Sequence, residues 1–150
     1  MARRGSPFPD DERSDARERA MLLFYEADTK QVPVAEIVAA QVLPIDSLTQ
    51  LLVAGTAEHR DEVDAVIAAN ARGWTLKRMP AIDLTVLRIA SFELFHRPDV
   101  PTAVVLDEAV ELAKRFSTDD SGRFVNGMLS AIAPKLRPPP EDDDAGRADA

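Results

Sequence analysis

The sequence predicts an all-α fold of about seven helices, and three observations support this prediction. Apolar residues recur at spacings of three and four through most of residues 13–137, which is the period of an amphipathic helix. No segment alternates apolar and polar residues as a half-buried strand does. The periodic segments begin or end at prolines, which favour the first turn of a helix and disrupt its interior. These prolines are Pro33, Pro44, Pro80, Pro98, Pro101 and Pro134.

The first predicted subdomain, residues 13–72, contains three helical segments. The first has an apolar stripe over residues 16–27. A short second helix is predicted within residues 33–44, between two prolines. A third and longer segment covers residues 48–67, and Gly55 is expected to kink or divide it.

The second predicted subdomain, residues 73–137, begins with a connector at Trp74 and contains the most apolar helix. Residues 82–95 leave almost no polar face, and a helix of this kind lies inside the fold. Two amphipathic helices follow. The turn at residues 117–123 separates them, and its first four residues, 117–120, resemble a capping box with Asp in place of Glu. The last helix is predicted to stop at Pro134.

The two ends, residues 1–12 and 138–150, are predicted to be a disordered arm and a disordered acidic tail. Proline, glycine and acidic residues there leave too few apolar side chains to offset the entropy of ordering. The tail contains five acidic residues and one arginine, so it carries half of the formal net charge of −8. This acidic net charge is unlike that of most nucleic-acid-binding proteins, which have a basic face.

The composition excludes several classes of protein. The 150 residues are 45% apolar and include no cysteine, so disulfides, thiolate metal sites and cysteine nucleophiles are ruled out. No apolar run approaches the roughly 18 residues of a membrane span, and no apolar stretch follows the basic start as in a signal peptide. We therefore expect a cytoplasmic globular protein with no membrane segment.

Residue patterns give little support to an enzyme. The only histidines, His59 and His96, are 37 positions apart and fit no metal-ligand spacing, and both are interpreted as surface residues. No glycine-rich phosphate loop is present, and Gly122 and Gly127 are interpreted as places where another helix approaches closely. We expect no catalytic residue, no metal site and no cofactor.

Two places in the sequence combine aromatic and basic residues in a way that suggests contact with a nucleic acid, and each has a structural alternative. Trp74 lies among three basic residues, but a lone tryptophan more often fills a core, and that interpretation is favoured. Phe116 and Phe124 flank the 117–123 turn, with Arg123 beside the second. An aromatic ring next to a turn and a cation can stack a nucleobase, whereas a core position also explains Phe116.

Four motifs follow one another between residues 81 and 129: Val-Leu-Arg-Ile, Asp-Val-Pro, Asp-Glu-Ala-Val-Glu-Leu-Ala-Lys and Phe-Val-Asn-Gly. In this order they resemble the NusB family of transcription antitermination factors. The segment Ala-Arg-Glu-Arg-Ala-Met-Leu-Leu-Phe-Tyr, residues 16–25, resembles the first helix of that family. The resemblance covers residues 13–137 and implies a non-catalytic helical fold of two subdomains.

The resemblance also implies partners. It implies binding of the boxA element, a single-stranded segment of nascent ribosomal RNA, jointly with the small-subunit ribosomal protein that doubles as NusE. That complex acts on the transcription elongation complex and helps RNA polymerase read through terminators. Whether the protein is a monomer or a homodimer is left open.

Residue by residue, the resemblance implies an RNA site and a partner contact. Arginines of the first helix would contact phosphates, and aromatic and acidic positions near the turn would line the RNA site. Asp83 matches an acidic position that faces the ribosomal protein. With Arg123 of the turn, the predicted RNA-binding residues are Arg13, Arg17, Arg19, Tyr25, Phe116, Asp120, Arg123 and Phe124.

The first helix departs from the family pattern, because acidic residues interrupt its basic run at positions 10, 11, 12, 15 and 18. Phosphate contacts supply most of the sequence-independent affinity for nucleic acids, so we expect weak RNA binding without a basic partner. The alternative function is a helical interaction module that holds the ribosomal protein with little direct RNA binding.

Overall fold

The structure, a computed structural model, describes residues 11–73 and 75–139. Within these ranges it contains seven α-helices, a short 3-10 helix at Leu76–Arg78 and no strand, which confirms the all-α prediction. The α-helices are α1 (Asp11–Lys30), α2 (Val34–Ala39), α3 (Ser47–Glu58), α4 (Arg60–Asn70), α5 (Ala81–His96), α6 (Thr102–Phe116) and α7 (Asp119–Leu136). None of these helices is long and apolar enough to cross a membrane.

Three boundaries differ from those that the sequence predicts. The first helix begins at Asp11, inside the predicted disordered arm. The long third segment is two helices that meet at His59, whose backbone leaves helical geometry with φ −100° and ψ 20°. The last helix continues through Pro134, because the carbonyl that loses its amide partner belongs to the exposed Ser130 and can bond water. Trp74 and most of both predicted disordered ends lie outside the described residues.

α5 is the central helix, as its apolar sequence predicts. It packs against α1, α3, α4, α6 and α7, and ten of its sixteen residues are buried. The buried residues from both predicted subdomains form one hydrophobic cluster. The subdomain boundary near residue 73 stays a prediction.

Two glycines allow helices to approach one another closely. A Cβ atom at Gly55 would overlap the ring of Phe92, so α3 can cross α5 only because this position has no side chain. Gly122 lies against the aliphatic carbons of Lys114, which agrees with its predicted role. Gly127 faces open space within the described chain, with no atom within 4 Å of a Cβ, so the same prediction is wrong for this residue.

Gly55→Ala should lower the free energy of unfolding by ~1–3 kcal/mol, because the rigid Phe92 ring has to shift. Gly127→Ala is the matched control in another helix. It should raise stability by up to about 1 kcal/mol, since alanine has the higher helix propensity and nothing obstructs its methyl group. Equilibrium urea denaturation measures both variants, and equal effects would contradict the close packing of α3 on α5.

Candidate nucleic-acid interface

Hydroxyl groups fix the turn between α6 and α7. Thr118 is the N-cap of α7, and its Oγ1 accepts a hydrogen bond from the backbone N–H of Ser121 at 3.0 Å. The hydroxyls of Ser117 and Ser121 lie 2.9 Å apart, and Ser121 is buried. The turn is therefore held by short side-chain contacts that set the direction in which α7 begins.

Two phenylalanines flank this turn, and both are half-buried. Phe116 ends α6 and Phe124 lies near the start of α7, and both pack against the core while part of each remains accessible. The guanidinium carbon of Arg115 lies 5.1 Å from the centroid of the Phe116 ring, which is a cation–π distance. Aromatic surface next to positive charge is the combination that stacks nucleobases.

Three exposed cations, Lys114, Arg115 and Arg123, lie within two residues of the aromatic pair in the sequence. Arg115 also forms an ion pair with Glu18 of α1, with a nitrogen–oxygen distance of 2.7 Å. Arg123 pairs with Asp120 one turn earlier, and both side chains are largely exposed. An exposed pair of this kind contributes little stability, so Arg123 can exchange Asp120 for a phosphate at small cost.

α1 separates the predicted residues into two groups. Tyr25 is 43% exposed and lies seven residues beyond Glu18, about two helical turns along the face that reaches Arg115. Arg19 lies on another side of the helix, 3.9 Å from the carboxylate that caps α3. Arg13 is exposed in the first turn of α1. The structure therefore brings Tyr25 toward the α6 side and turns Arg19 toward α3.

Arg17 does not lie on this surface. Its side chain is 4% exposed, and its Nε and Nη2 atoms donate to the two carboxylate oxygens of Glu93, both at 2.8 Å. Arg97 donates to the same carboxylate at 3.2 Å. This placement does not fit the predicted phosphate contact, because a buried guanidinium held by a carboxylate cannot reach RNA. Position 17 lies on the buried face of α1 with Ala20 and Phe24.

Asp83 is also buried, in the first turn of α5, with 2% of its surface exposed. Burial raises the pKa of its carboxyl, and hydrogen bonding to the hydroxyls of Ser121 and Ser117 partly opposes this rise. Its Oδ1 atom has no hydrogen-bond partner among the described residues. A carboxyl so placed does not fit the predicted contact with a partner protein. It lies instead next to the serines that hold the α6–α7 turn.

The structure also joins two histidines that the sequence treats as unrelated surface residues. The rings of His59, at the α3–α4 junction, and His96, at the end of α5, stack with centroids 3.8 Å apart. The carboxylate of Glu62 contacts both rings, at 3.5 Å from Nδ1 of His59 and 3.0 Å from Nε2 of His96. Only the packing of α4 on α5 creates this contact, so no sequence spacing indicates it.

These features define a class of protein: an all-helical binding protein whose accessible aromatic turn suits a nucleic-acid strand. The comparisons with known proteins agree with this class and narrow it. The NusB family model matches residues 14–134. The transcription antitermination protein NusB of Saccharopolyspora erythraea is 46% identical over 127 residues, which cover 81% of this chain and 86% of that protein.

Solved structures give the same result. NusB of T. maritima has 30% sequence identity and a TM-score of 0.72, and the match covers 89% of this chain and 96% of that one. A crystal structure of the antitermination factors NusB and NusE in complex with dsRNA has 25% identity and a TM-score of 0.70, over 82% of this chain and 96% of that one. The chain therefore belongs to the NusB family. Because this is a family of non-catalytic antitermination factors, the prediction that the protein is not an enzyme is confirmed.

Arg17→Met should lower the free energy of unfolding by ~3–5 kcal/mol, because Glu93 would stay buried without its bidentate partner. The double variant Arg17→Met/Glu93→Leu should recover much of this loss, since neither charge then needs compensation. Arg19→Met is the exposed control and should change stability by no more than about 0.5 kcal/mol. Urea denaturation compares the three, and equal losses for the two single variants would contradict the burial of Arg17.

Asp83→Asn should be more stable than the wild type near pH ~7. The pKa of Asp83 in the folded protein is raised above 3.8. The contribution of this carboxyl to the free energy of unfolding is therefore greatest at low pH, where it is protonated, and it is lost as the pH rises through the folded-state pKa. The difference between the variant and the wild type should therefore shrink as the pH falls toward about 4.

Asp46→Asn is a control of opposite sign. The hydrogen bond from the Thr49 hydroxyl lowers the pKa of Asp46, so this carboxylate stabilises the fold at neutral pH and the contribution is lost in acid. This variant should lose a little stability near pH ~7. Denaturant titrations at both pH values measure the two variants, and a loss of stability in Asp83→Asn at neutral pH would contradict the cost assigned to the buried charge.

Proposed function

We propose that this protein binds the single-stranded boxA element of nascent ribosomal RNA together with the ribosomal protein NusE, as part of a transcription elongation complex in the cytoplasm. The observation that carries the proposal is the aromatic pair Phe116 and Phe124 at a rigid turn, with the guanidinium of Arg115 over the first ring. A solved complex of NusB and NusE with dsRNA, whose NusB chain has the same fold, supports NusE and an RNA as partners.

The α6–α7 turn supplies cations in place of Arg17 and Arg19 of α1. In α1, Arg17 is committed to Glu93 and Arg19 lies on the α3 side. At the turn, Arg115 is exposed and lies over the Phe116 ring, and Arg123 is exposed and directly precedes Phe124 in the chain. We infer that stacking and these cations hold the strand, with Arg13 and Tyr25 of α1 extending the contact.

NusE is expected to strengthen RNA binding. The chain has a formal net charge of −8, which repels phosphate over distances of about a Debye length. A basic partner bound beside the turn would offset this repulsion and extend the phosphate contacts. The second candidate function, an interaction module with little RNA contact, is favoured by the burial of Arg17 and the acidic residues of α1.

Phe124→Leu should weaken RNA binding to the NusE-containing complex, because leucine keeps the apolar packing and removes the aromatic face. Stacking contributes ~1–3 kcal/mol per base and depends little on salt, so the loss should persist at every salt concentration. Arg123→Gln should instead reduce the magnitude of the log–log salt slope by about 0.7, the value for one phosphate contact on a single strand.

Arg72→Gln is the matched control for Arg123→Gln. Arg72 lies two residues after Asn70, whose side chain contacts Lys135 at the far end of α7, about 25 Å along the helix from the turn. Titration of a labelled boxA RNA, with this protein alone and with NusE, measures all variants. Wild-type affinity in folded Phe124→Leu and Arg123→Gln with normal NusE binding would support the interaction module. A loss of RNA affinity in Arg72→Gln alone would show that the RNA site lies at the other end of the molecule.

A further inference from the structure

The surface between the start of α4 and the end of α5 carries three side chains of a kind that bind metal ions. His59, Glu62 and His96 each offer one ligand atom, and these atoms lie within 4.8 Å of one another. Imidazole nitrogen and carboxylate oxygen are the usual non-thiolate ligands of zinc in proteins. We propose that these three residues form a binding site for a divalent transition-metal ion of the zinc type.

The backbone holds the three ligands near one another before any ion binds. His59 and Glu62 are three residues apart, about one helical turn, at the start of α4. His96 is the last residue of α5, against which α4 packs. The ring of His59 also stacks on Phe92 with centroids 6.0 Å apart, which restricts its position. Little chain entropy is therefore lost when the ligands converge.

The distances from the Glu62 carboxylate to the two imidazoles are close to those between ligand atoms of an occupied site. Zinc binds nitrogen and oxygen at about 2.0–2.1 Å in a tetrahedron, so its ligand atoms lie roughly 3.4 Å apart. The two carboxylate oxygens of Glu62 lie 3.5 Å from His59 Nδ1 and 3.0 Å from His96 Nε2. One carboxylate thus already faces a nitrogen of each imidazole.

One rearrangement is required. The two imidazole rings are stacked with an angle of 24° between their planes, so their in-plane lone pairs do not point at a common ion. At least one ring has to turn out of the stack when a metal binds. The three side chains are 29–40% exposed, which leaves room for this rotation.

The donor set and the surrounding charges select the type of ion. Two nitrogens and one carboxylate suit zinc and its neighbours in the transition series better than Mg²⁺ or Ca²⁺, which prefer oxygen. Arg60 of α4 and Arg88 of α5 both contact Asp64. Three protein ligands leave a fourth position for water, and the ion would join α4 to α5.

A calorimetric titration of the untagged full-length protein with zinc chloride tests the site. We expect one zinc ion per chain and no comparable binding of magnesium. His96→Gln and Glu62→Gln should each weaken zinc binding by at least ~10-fold. Asp61→Asn is the matched control, because it removes the same charge from the adjacent residue, which lies outside the cluster. It should bind zinc as the wild type does.

Two further measurements report on the site independently of affinity. The chain has only two histidines, so the imidazole NMR signals of both can be followed, and zinc should shift both as the stack opens. Zinc at ~100 times its dissociation constant should also lower the ratio of unfolded to folded protein about 100-fold, and this effect should disappear in His96→Gln. Circular dichroism confirms that the variants are folded.

Two outcomes would overturn the proposal. Unchanged zinc affinity in folded His96→Gln and Glu62→Gln would show that the ion is held elsewhere, for example by the acidic residues at 141–144. Zinc binding that leaves both imidazole signals unmoved would lead to the same conclusion.

Discussion

The buried charge of Glu93 is the constraint on which the arrangement of the helices depends. Glu93 lies on the central helix α5, where a carboxylate without partners would cost several kcal/mol. Arg17 from α1 meets it with two hydrogen bonds, and Arg97 from the last turn of α5 adds a third. Because α1 has to present its only buried arginine at this point, the register of α1 along α5 is set by charge compensation as well as by apolar packing. The hydroxyl of Ser14, one turn earlier, then reaches Glu108 of α6 at 2.5 Å.

Arg137 holds the end of α5 and the start of its connection to α6. Its guanidinium donates to backbone carbonyls at the end of α5 and in the connection to α6, at distances of 2.6–3.1 Å. The last carbonyls of a helix have no partner within the helix, and a cation there is also favoured by the helix dipole. One arginine at the end of α7 therefore closes the end of α5, which gives a physical reason for α7 to continue past Pro134.

The sequence predicts the helices and the central position of α5 because apolar period and proline placement are local properties. It does not predict which charged residues are buried, because their partners are distant: Arg17 and Glu93 are 76 positions apart. A signal was nevertheless present. Arg17 lies on the apolar face of α1, three residues before Ala20, and Asp83 lies in a helix with almost no polar face. A charged residue inside an apolar stripe indicates a buried ion pair or hydrogen-bond network more directly than it indicates a ligand contact. The contact between His59 and His96 carries no such local signal.

The structure changes how Glu18, one of the acidic residues of α1, should be interpreted. In the sequence, Glu18 only interrupts a basic run and so opposes RNA binding. In the structure, Glu18 holds the guanidinium of Arg115 at 2.7 Å, and the same guanidinium lies over the ring of Phe116. The acidic residue thus keeps a cation in place on the aromatic surface, and for the proposed RNA contact such preorganisation reduces the entropy lost on binding. The net charge of the chain is a sum over distant residues, whereas the RNA affinity proposed for the turn depends on which charges lie near the rings and how firmly they are held there.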